Sequence, residues 1–279
     1  MLGIMLPALV AALLLLSLHA YLGIHIIARG VIFVDLAIAQ MAALGWTAAV
    51  FVGFEAGSLS AYLVGLLTAL LAAGLFSVTR MDHRYITQEA IIGIVFVVAS
   101  AATILLASQA PRGAEHVQEL LTGSLLWVTW PKIARIAVIY AVLGLLHWLF
   151  RRRFLTISLQ PKLARSAGWS IAGWDFLFYA LFGIMVTLSV EVAGVLLVFS
   201  FLVIPAVVAF LFTGKPGALL AIAWMSGSAA TVAGLVVSYM ADLPTGPVVV
   251  CAFAVVLLIA FAVRRLSGGK RLPASEATL

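Results

Sequence analysis

Charge is scarce in this chain, and the scarcity rules out most classes of protein. Only 9% of its 279 residues are charged, while 65% are hydrophobic; a soluble domain carries roughly 25% charge. That leaves no room for a separate soluble catalytic domain. Cysteine is nearly absent as well. Cys251 stands alone in an apolar run, so an intrachain disulfide is excluded and no cysteine pair exists for redox work. A phosphate-binding loop is missing: neither Gly214-Lys215-Pro216 nor Gly269-Lys270-Arg271 supplies Gly-x-x-x-x-Gly-Lys-[Ser/Thr], so ATP hydrolysis within this chain is not expected. A Ser/His pair, an Asp pair and a His-Glu-x-x-His site are not evident either, which argues against a membrane-embedded hydrolase. No basic segment precedes the first apolar run and no convincing Ala-x-Ala site follows it, so the first helix is expected to be retained.

What the chain has in quantity is apolar sequence, at a mean hydropathy of +1.23. Apolar runs of about 20 residues cross a bilayer. Nine such runs are read near 5–27, 31–53, 58–78, 89–109, 133–150, 173–190, 193–213, 217–240 and 246–263. The expected fold is all-α, a polytopic bundle of about nine spans: a transmembrane domain over 1–264 and a short basic tail over 265–279.

The charges in the connections alternate. Basic residues follow the odd-numbered spans: Arg29; Arg80 and Arg84; Arg151, Arg152, Arg153, Lys162 and Arg165; Lys215; and Arg264, Arg265, Lys270 and Arg271. Acidic or mixed connections follow the even-numbered ones: Glu55; Arg112, Glu115 and Glu119; Glu191; and Asp242. Only Lys132 and Arg135 break the pattern. The formal net charge of +6 therefore reports cytoplasmic loops, with no nucleic-acid partner implied. The C-terminus is expected inside and the N-terminus outside.

Asp35 and Gln40 lie within the second apolar run. A carboxylate at mid-membrane costs roughly 2.5–3.5 kcal/mol on insertion scales. Asp35 therefore either lines a polar path or sits near a helix end with an interfacial or hydrogen-bonding role. Five residues apart is about 140° around a helix, so the two share a cavity only if it is wide or the helix irregular. Glu115, His116 and Glu119 make a loose patch in the 110–132 connection, at an outer mouth. That connection is too short and polar to span, and reads as an interfacial or re-entrant helix or as an amphipathic loop. In the 151–168 connection, Pro161 can open and Gly168 close a single short helix, Lys162 to Ala167, presenting Leu163, Ala164 and Ala167. Such a helix could dock a partner; the segment could equally be a solvated basic loop. Gly194 permits a sharp turn and Pro205 a kink. Ser226, Ala230 and Gly234 form a small-residue stripe for helix packing. His19 is expected to bond a neighbouring helix.

From about Gly23 to Ala209 these segments resemble the membrane subunits of bacterial ABC importers for zinc, manganese or iron, the ABC-3 permease family. The carriers of the resemblance are Arg29, Asp35 and Ala-Ala-Leu-Gly45; Gln88-Glu89-Ala90-Ile91-Ile92-Gly93; Leu121-Thr122-Gly123-Ser124-Leu125; Leu163-Ala164-Arg165-Ser166-Ala167-Gly168; and Val192 to Ala209 with Gly194 and Pro205. The resemblance implies an inner-membrane permease, paired with a second permease subunit as a homodimer or related pair. It also implies cytoplasmic ATPase subunits docked on Leu163, Ala164, Arg165, Ala167 and Gly168, and an extracytoplasmic solute-binding protein that delivers the ion. No cofactor is expected on the chain itself: ATP is used by the partner, and the divalent metal is the substrate. An Asp and a His on the second span contact metal in the family. Asp35 matches the first, displaced by one residue, and Gln40 stands at the His position. The competing class is an ion-coupled secondary transporter of a small cation or metal chelate, which would often show inverted repeats; none is clear here.

Reporter fusions at Gly57 and Arg152 should read outside and inside respectively. An outside signal at Arg152 would reverse the whole orientation.

Overall fold

The computed structural model describes residues 2–55, 57–80, 87–109, 122–123 and 125–267. Among these there is no strand. The helices are α1 (Leu2–Arg29), α2 (Val34–Phe51), α3 (Leu59–Val78), α4 (Gln88–Ala107), α5 (Trp130–Leu149), α6 (Arg151–Leu159), α7 (Pro161–Ser166), α8 (Ile171–Phe212), α9 (Pro216–Ala241) and α10 (Thr245–Leu266), with a 3₁₀ turn at Leu125–Trp127. Eight of them are long and apolar enough to cross a membrane. Helix α8 has 42 residues, about 63 Å at 1.5 Å per residue and twice the hydrocarbon thickness. It is interrupted at Gly194, whose φ of 74° and ψ of 160° are not helical. Residues 171–193 and 195–212 are each long enough for one pass, which accounts for nine passes.

Two compact units divide the chain. One comprises Met1–Arg29, Thr122–Pro161 and Val192–Leu279; the other comprises Gly30–Leu121 and Lys162–Glu191. In the first, α1 packs against α5, α6 and α9. Glycines set its closest approaches. A Cβ on Gly23 would collide with the Leu202 carbonyl, and one on Gly227 would lie 2.7 Å from Leu16 and 3.2 Å from Pro205. Gly234 faces Val249 in the same way. The small-residue seam of α9 thus runs through Ala223, Gly227, Ala230 and Gly234. Ser226 is only half-buried and bonds its own helix at the Ile222 carbonyl, so it is not part of the seam expected from its spacing. Trp224 Nε1–H reaches α1, donating to the Ser17 carbonyl at 2.8 Å.

In the second unit α2 packs between α3 and α4. Helix α3 shows the membrane rule plainly. Ala61, Gly65, Ala69, Ala72 and Ala73 are buried, while Leu59, Leu63, Leu67, Leu71 and Leu75 are exposed. Lipid is as apolar as leucine, so small residues take the inner face, where backbones must come close. A Cβ on Gly65 would lie 2.9 Å from the Ala42 carbonyl, and Thr68 Oγ1 donates across to the Met41 carbonyl at 2.7 Å. Gly45 sits against Thr68, so the Ala-Ala-Leu-Gly45 motif is a packing seam. Arg80, just past α3, donates through one nitrogen to both Asp175 carboxylate oxygens at 2.8 and 3.1 Å. Asp175 is wholly buried.

Removing one partner of a buried pair strands the other charge, at about 3–5 kcal/mol. Arg80→Ala should therefore lower membrane abundance and the melting temperature in detergent, and Arg80→Lys should lose less. Equal stability of Arg80→Ala and the parent would show that the pair does not hold the fold.

Candidate functional site

Helix α2 begins later than the apolar run suggests, and this moves Asp35. Gly30 turns the chain with a φ of 69°, and helical structure starts only at Val34, so Asp35 occupies the first turn. Of the two readings left open by the sequence, the position near a helix end is the one observed, and only the start of the span moves, from near residue 31 to Val34. The preceding residue Phe33 has no side-chain cap of its own. Its N–H instead donates to Glu89 Oε1 of α4 at 3.0 Å, a cap supplied by another helix. Asp35 is only 1% exposed, and neither of its oxygens accepts a hydrogen bond among the described residues. The unpaired N–H groups of a first turn carry partial positive charge, which favours a carboxylate there. Gln40 is half-buried. No residue inside α2 departs from helical geometry, so the two side chains stay on different faces, about 140° apart.

The Thr122-Gly123 segment and the α8 break come together. Gly123, at a φ of 68°, packs its Cα against the backbone of Ala193 and Gly194. A Cβ on Gly246 would lie 2.6 Å from the Thr122 carbonyl, so α10 also closes on this segment. Leu125 is buried and Trp127 is 79% exposed. Glu115, His116 and Glu119 lie outside the described residues, as do His83 and Arg84. Pro205 keeps helical dihedrals, so the break falls at Gly194 alone.

The 151–168 connection folds as two short helices rather than one. Helix α6 spans Arg151–Leu159 and α7 spans Pro161–Ser166, with Gln160 alone between them. Pro161 opens α7 as expected, and Gly168, at a φ of 71°, closes it with its N–H on the Arg165 carbonyl at 3.0 Å. Leu163 is 56% exposed, and Arg165, Ala167 and Gly168 are exposed too. Ala164 is not: it is fully buried, so it supports α7 from within instead of presenting a surface.

A polar cluster escaped the sequence reading because its members come from three helices. Tyr21, His25 and Arg29 recur every four residues on one face of α1. Ser158 Oγ on α6 accepts from Arg29 Nε–H at 2.8 Å and lies 2.9 Å from His25 Nδ1. His147 of α5 stands beside Tyr21 and Phe154, with ring centroids 5.7 and 5.0 Å apart. Nothing in the local pattern around Ser158 marks it. His19 likewise differs from expectation: its Nδ1 bonds the Leu15 carbonyl of its own helix at 2.7 Å, and its ring faces Tyr140 and Phe201. No group of three or more metal-ligating side chains exists among the described residues.

A family model described as "ABC 3 transport family" matches residues 1–264. The chain is 29% identical over 204 residues to the "Probable iron transport system membrane protein" of Haemophilus influenzae, covering 73% of this chain and 70% of that one. It is 26% identical over 200 residues to the "Manganese transport system membrane protein MntC" of Listeria monocytogenes, covering 72% and 71%. Its fold is similar to a solved structure, "PsaBC from Streptococcus pneumoniae in complex with Fab", with a TM-score of 0.76 at 23% identity over 91% of this chain and 90% of that one.

The contact between Gly123 and the Gly194 break leaves no space for a side chain. Gly123→Ala adds both a collision and a left-handed backbone strain, so it should cost at least about 1–3 kcal/mol. A melting temperature in detergent equal to that of the parent would disprove this packing.

Proposed function

The chain belongs to the ABC 3 transport family, and from that membership we propose that it is the membrane permease subunit of an ATP-binding-cassette importer that moves a divalent transition metal into the cytoplasm. The observation that carries the choice of cargo is Asp35. It is a buried carboxylate with no protein donor on either oxygen among the described residues. Such a group needs a cation, a proton or a hydrogen-bond donor to offset its desolvation, and a metal ion in transit answers that need. One carboxylate from each of two permease subunits would make an oxygen-dominated site. Carboxylate and amide oxygens suit manganese better than they suit zinc, and relatives named for iron and for manganese transport support a transition-metal cargo. Gln40 stands farther around α2 and takes part in the path from a different face.

The chain performs no hydrolysis of its own. ATP is consumed by cytoplasmic ATPase subunits, which meet the exposed residues of α7: Leu163, Arg165, Ala167 and Gly168. A solute-binding protein delivers the ion on the opposite side, where Glu115, His116 and Glu119 are the candidate contacts. Gly194 and Pro205 are the candidate gating positions on α8. The alternation of loop charge supports a bacterial inner-membrane protein with its N-terminus outside and its basic 265–279 tail inside.

The test is Asp35→Asn, which keeps shape and removes charge. Uptake of manganese, iron and zinc should fall by about tenfold or more, the effect of roughly 1.4 kcal/mol or more, at unchanged membrane abundance and with the ATPase still bound. Unchanged uptake of all three metals would take Asp35 off the path. Uptake by the purified polypeptide without an ATPase would instead establish an ion-coupled carrier.

A further inference from the structure

Two carboxylates stand at the same end of α2, and only one of them is bonded to it. We propose that Glu89 is a positioning residue for transport: by capping α2 from α4 it takes over a duty that would otherwise fall to Asp35, and so leaves the Asp35 carboxylate open to a divalent cation. The inference rests on the reading of Asp35 as a metal contact.

Helix α2 lacks the usual means of capping itself. Phe33 at its N-cap has no side-chain acceptor. Leu36, the third helical residue, cannot reach back to the Phe33 N–H as a Glu or Gln in that position does. The first N–H groups of a helix have no carbonyl behind them and need an acceptor. Asp35, in that same first turn, is the one acidic side chain the local sequence offers. Yet both of its oxygens lack a hydrogen bond among the described residues, at 1% exposure. Glu89 has taken the place, accepting the Phe33 N–H on Oε1 at 3.0 Å. A hydrogen bond to an ionised acceptor is roughly twice as strong as one between neutral groups.

Glu89 can serve α2 because α4 has other means of holding its own start. Thr87 caps α4, its hydroxyl oxygen accepting from the Ala90 N–H at 3.3 Å. Gln88 fastens the same turn to α3, donating from Nε2 to the Phe76 carbonyl at 2.8 Å. Ile92, one turn on from Glu89, is wholly buried. Glu89 therefore stands on a turn held by three contacts of its neighbours. Its Oε2 has no hydrogen bond among the described residues, so a direct hold on the ion by Glu89 is the rival account. A neutral variant separates the two.

The experiment reads manganese uptake per assembled complex, with the permease reconstituted in proteoliposomes beside its ATPase subunits and binding protein. Without Glu89 the Asp35 carboxylate turns to the helix end, so Glu89→Ala should lower uptake by about fivefold, a coupling expected of groups in one hydrogen-bond network. Glu89→Gln keeps an oxygen for the Phe33 N–H and should recover most of that loss. Uptake as low in Glu89→Gln as in Glu89→Ala would overturn the proposal, since a direct hold on the ion needs the charge. Parental uptake in Glu89→Ala would overturn it as well. In the Asp35→Asn chain, Glu89→Ala should lower uptake no further; a second, independent fall there would show that Glu89 serves only the fold. If Glu89→Ala fails to assemble, Glu89→Asp holds its carboxylate one methylene short of Phe33 and should lower uptake in the same way. Parental uptake in Glu89→Asp is then equally fatal. Asp35→Asn alone separates this from the underlying reading. Parental uptake in Asp35→Asn removes the metal contact and this inference together, whereas a loss in Asp35→Asn beside parental uptake in Glu89→Ala removes this inference alone.

Discussion

Hydrocarbon offers no hydrogen bonds, so a polar side chain on a membrane helix must find its partner in the protein. The described polar groups of this chain largely obey that constraint, and much of the architecture follows from how they do so. Asp175 takes two bonds from Arg80, Glu89 caps α2 from α4, Trp224 ties α9 to α1, and Thr68 ties α3 to α2. Most serine and threonine hydroxyls turn back on their own helices, as Thr103, Thr187 and Ser200 do. Against that background Asp35 stands out from Asp175, because both of its buried oxygens lack a hydrogen bond among the described residues. The contrast with Asp175 is what motivates the metal contact proposed at Asp35.

Apolar packing carries the rest, and it runs opposite to the soluble rule. Alanines and glycines of α3 face inward and leucines outward, since lipid already satisfies leucine and only close backbones gain dispersion contacts. This is why so many glycines here are places of approach. Gly23 on Leu202, Gly65 on Ala42 and Gly227 on Leu16 and Pro205 each bring two helices nearer than any side chain would allow. Such seams have discrete arrangements, which suits a transporter whose helices must move as bodies.

Helix α7 and the cluster behind it use different chemistry. Helix α7 is short, proline-started and glycine-closed, a local device made of backbone preferences. The cluster behind it depends on long-range bonds, with Ser158 lying 129 residues from Arg29 and 133 from His25. A six-residue helix has little stability of its own, so its bounds depend on the proline and glycine that open and close it.

The number of passes, the charge of each connection, the Pro161 and Gly168 ends of α7 and the break near Gly194 were all legible in the chain itself. Each follows from a property that acts over a few residues or a single span: transfer free energy, the fixed φ of proline, the positive φ open to glycine. Asp35 was legible as an anomaly, with a helix-end position as one of two readings, but the residue at which α2 starts was not, because hydropathy cannot tell a helix from the turn that leads into it. The rest needed tertiary structure. Whether Ala164 or Leu163 faces outward depends on what lies against α7, and the periodicity of six residues does not decide it. The seam of α9 runs through Gly227 instead of Ser226 because Leu16, Pro205 and Val249 happen to oppose it. The Ser158 hub and the Glu89 cap join residues far apart in sequence, and no local pattern encodes a hydrogen bond whose two ends meet only after the helices have packed.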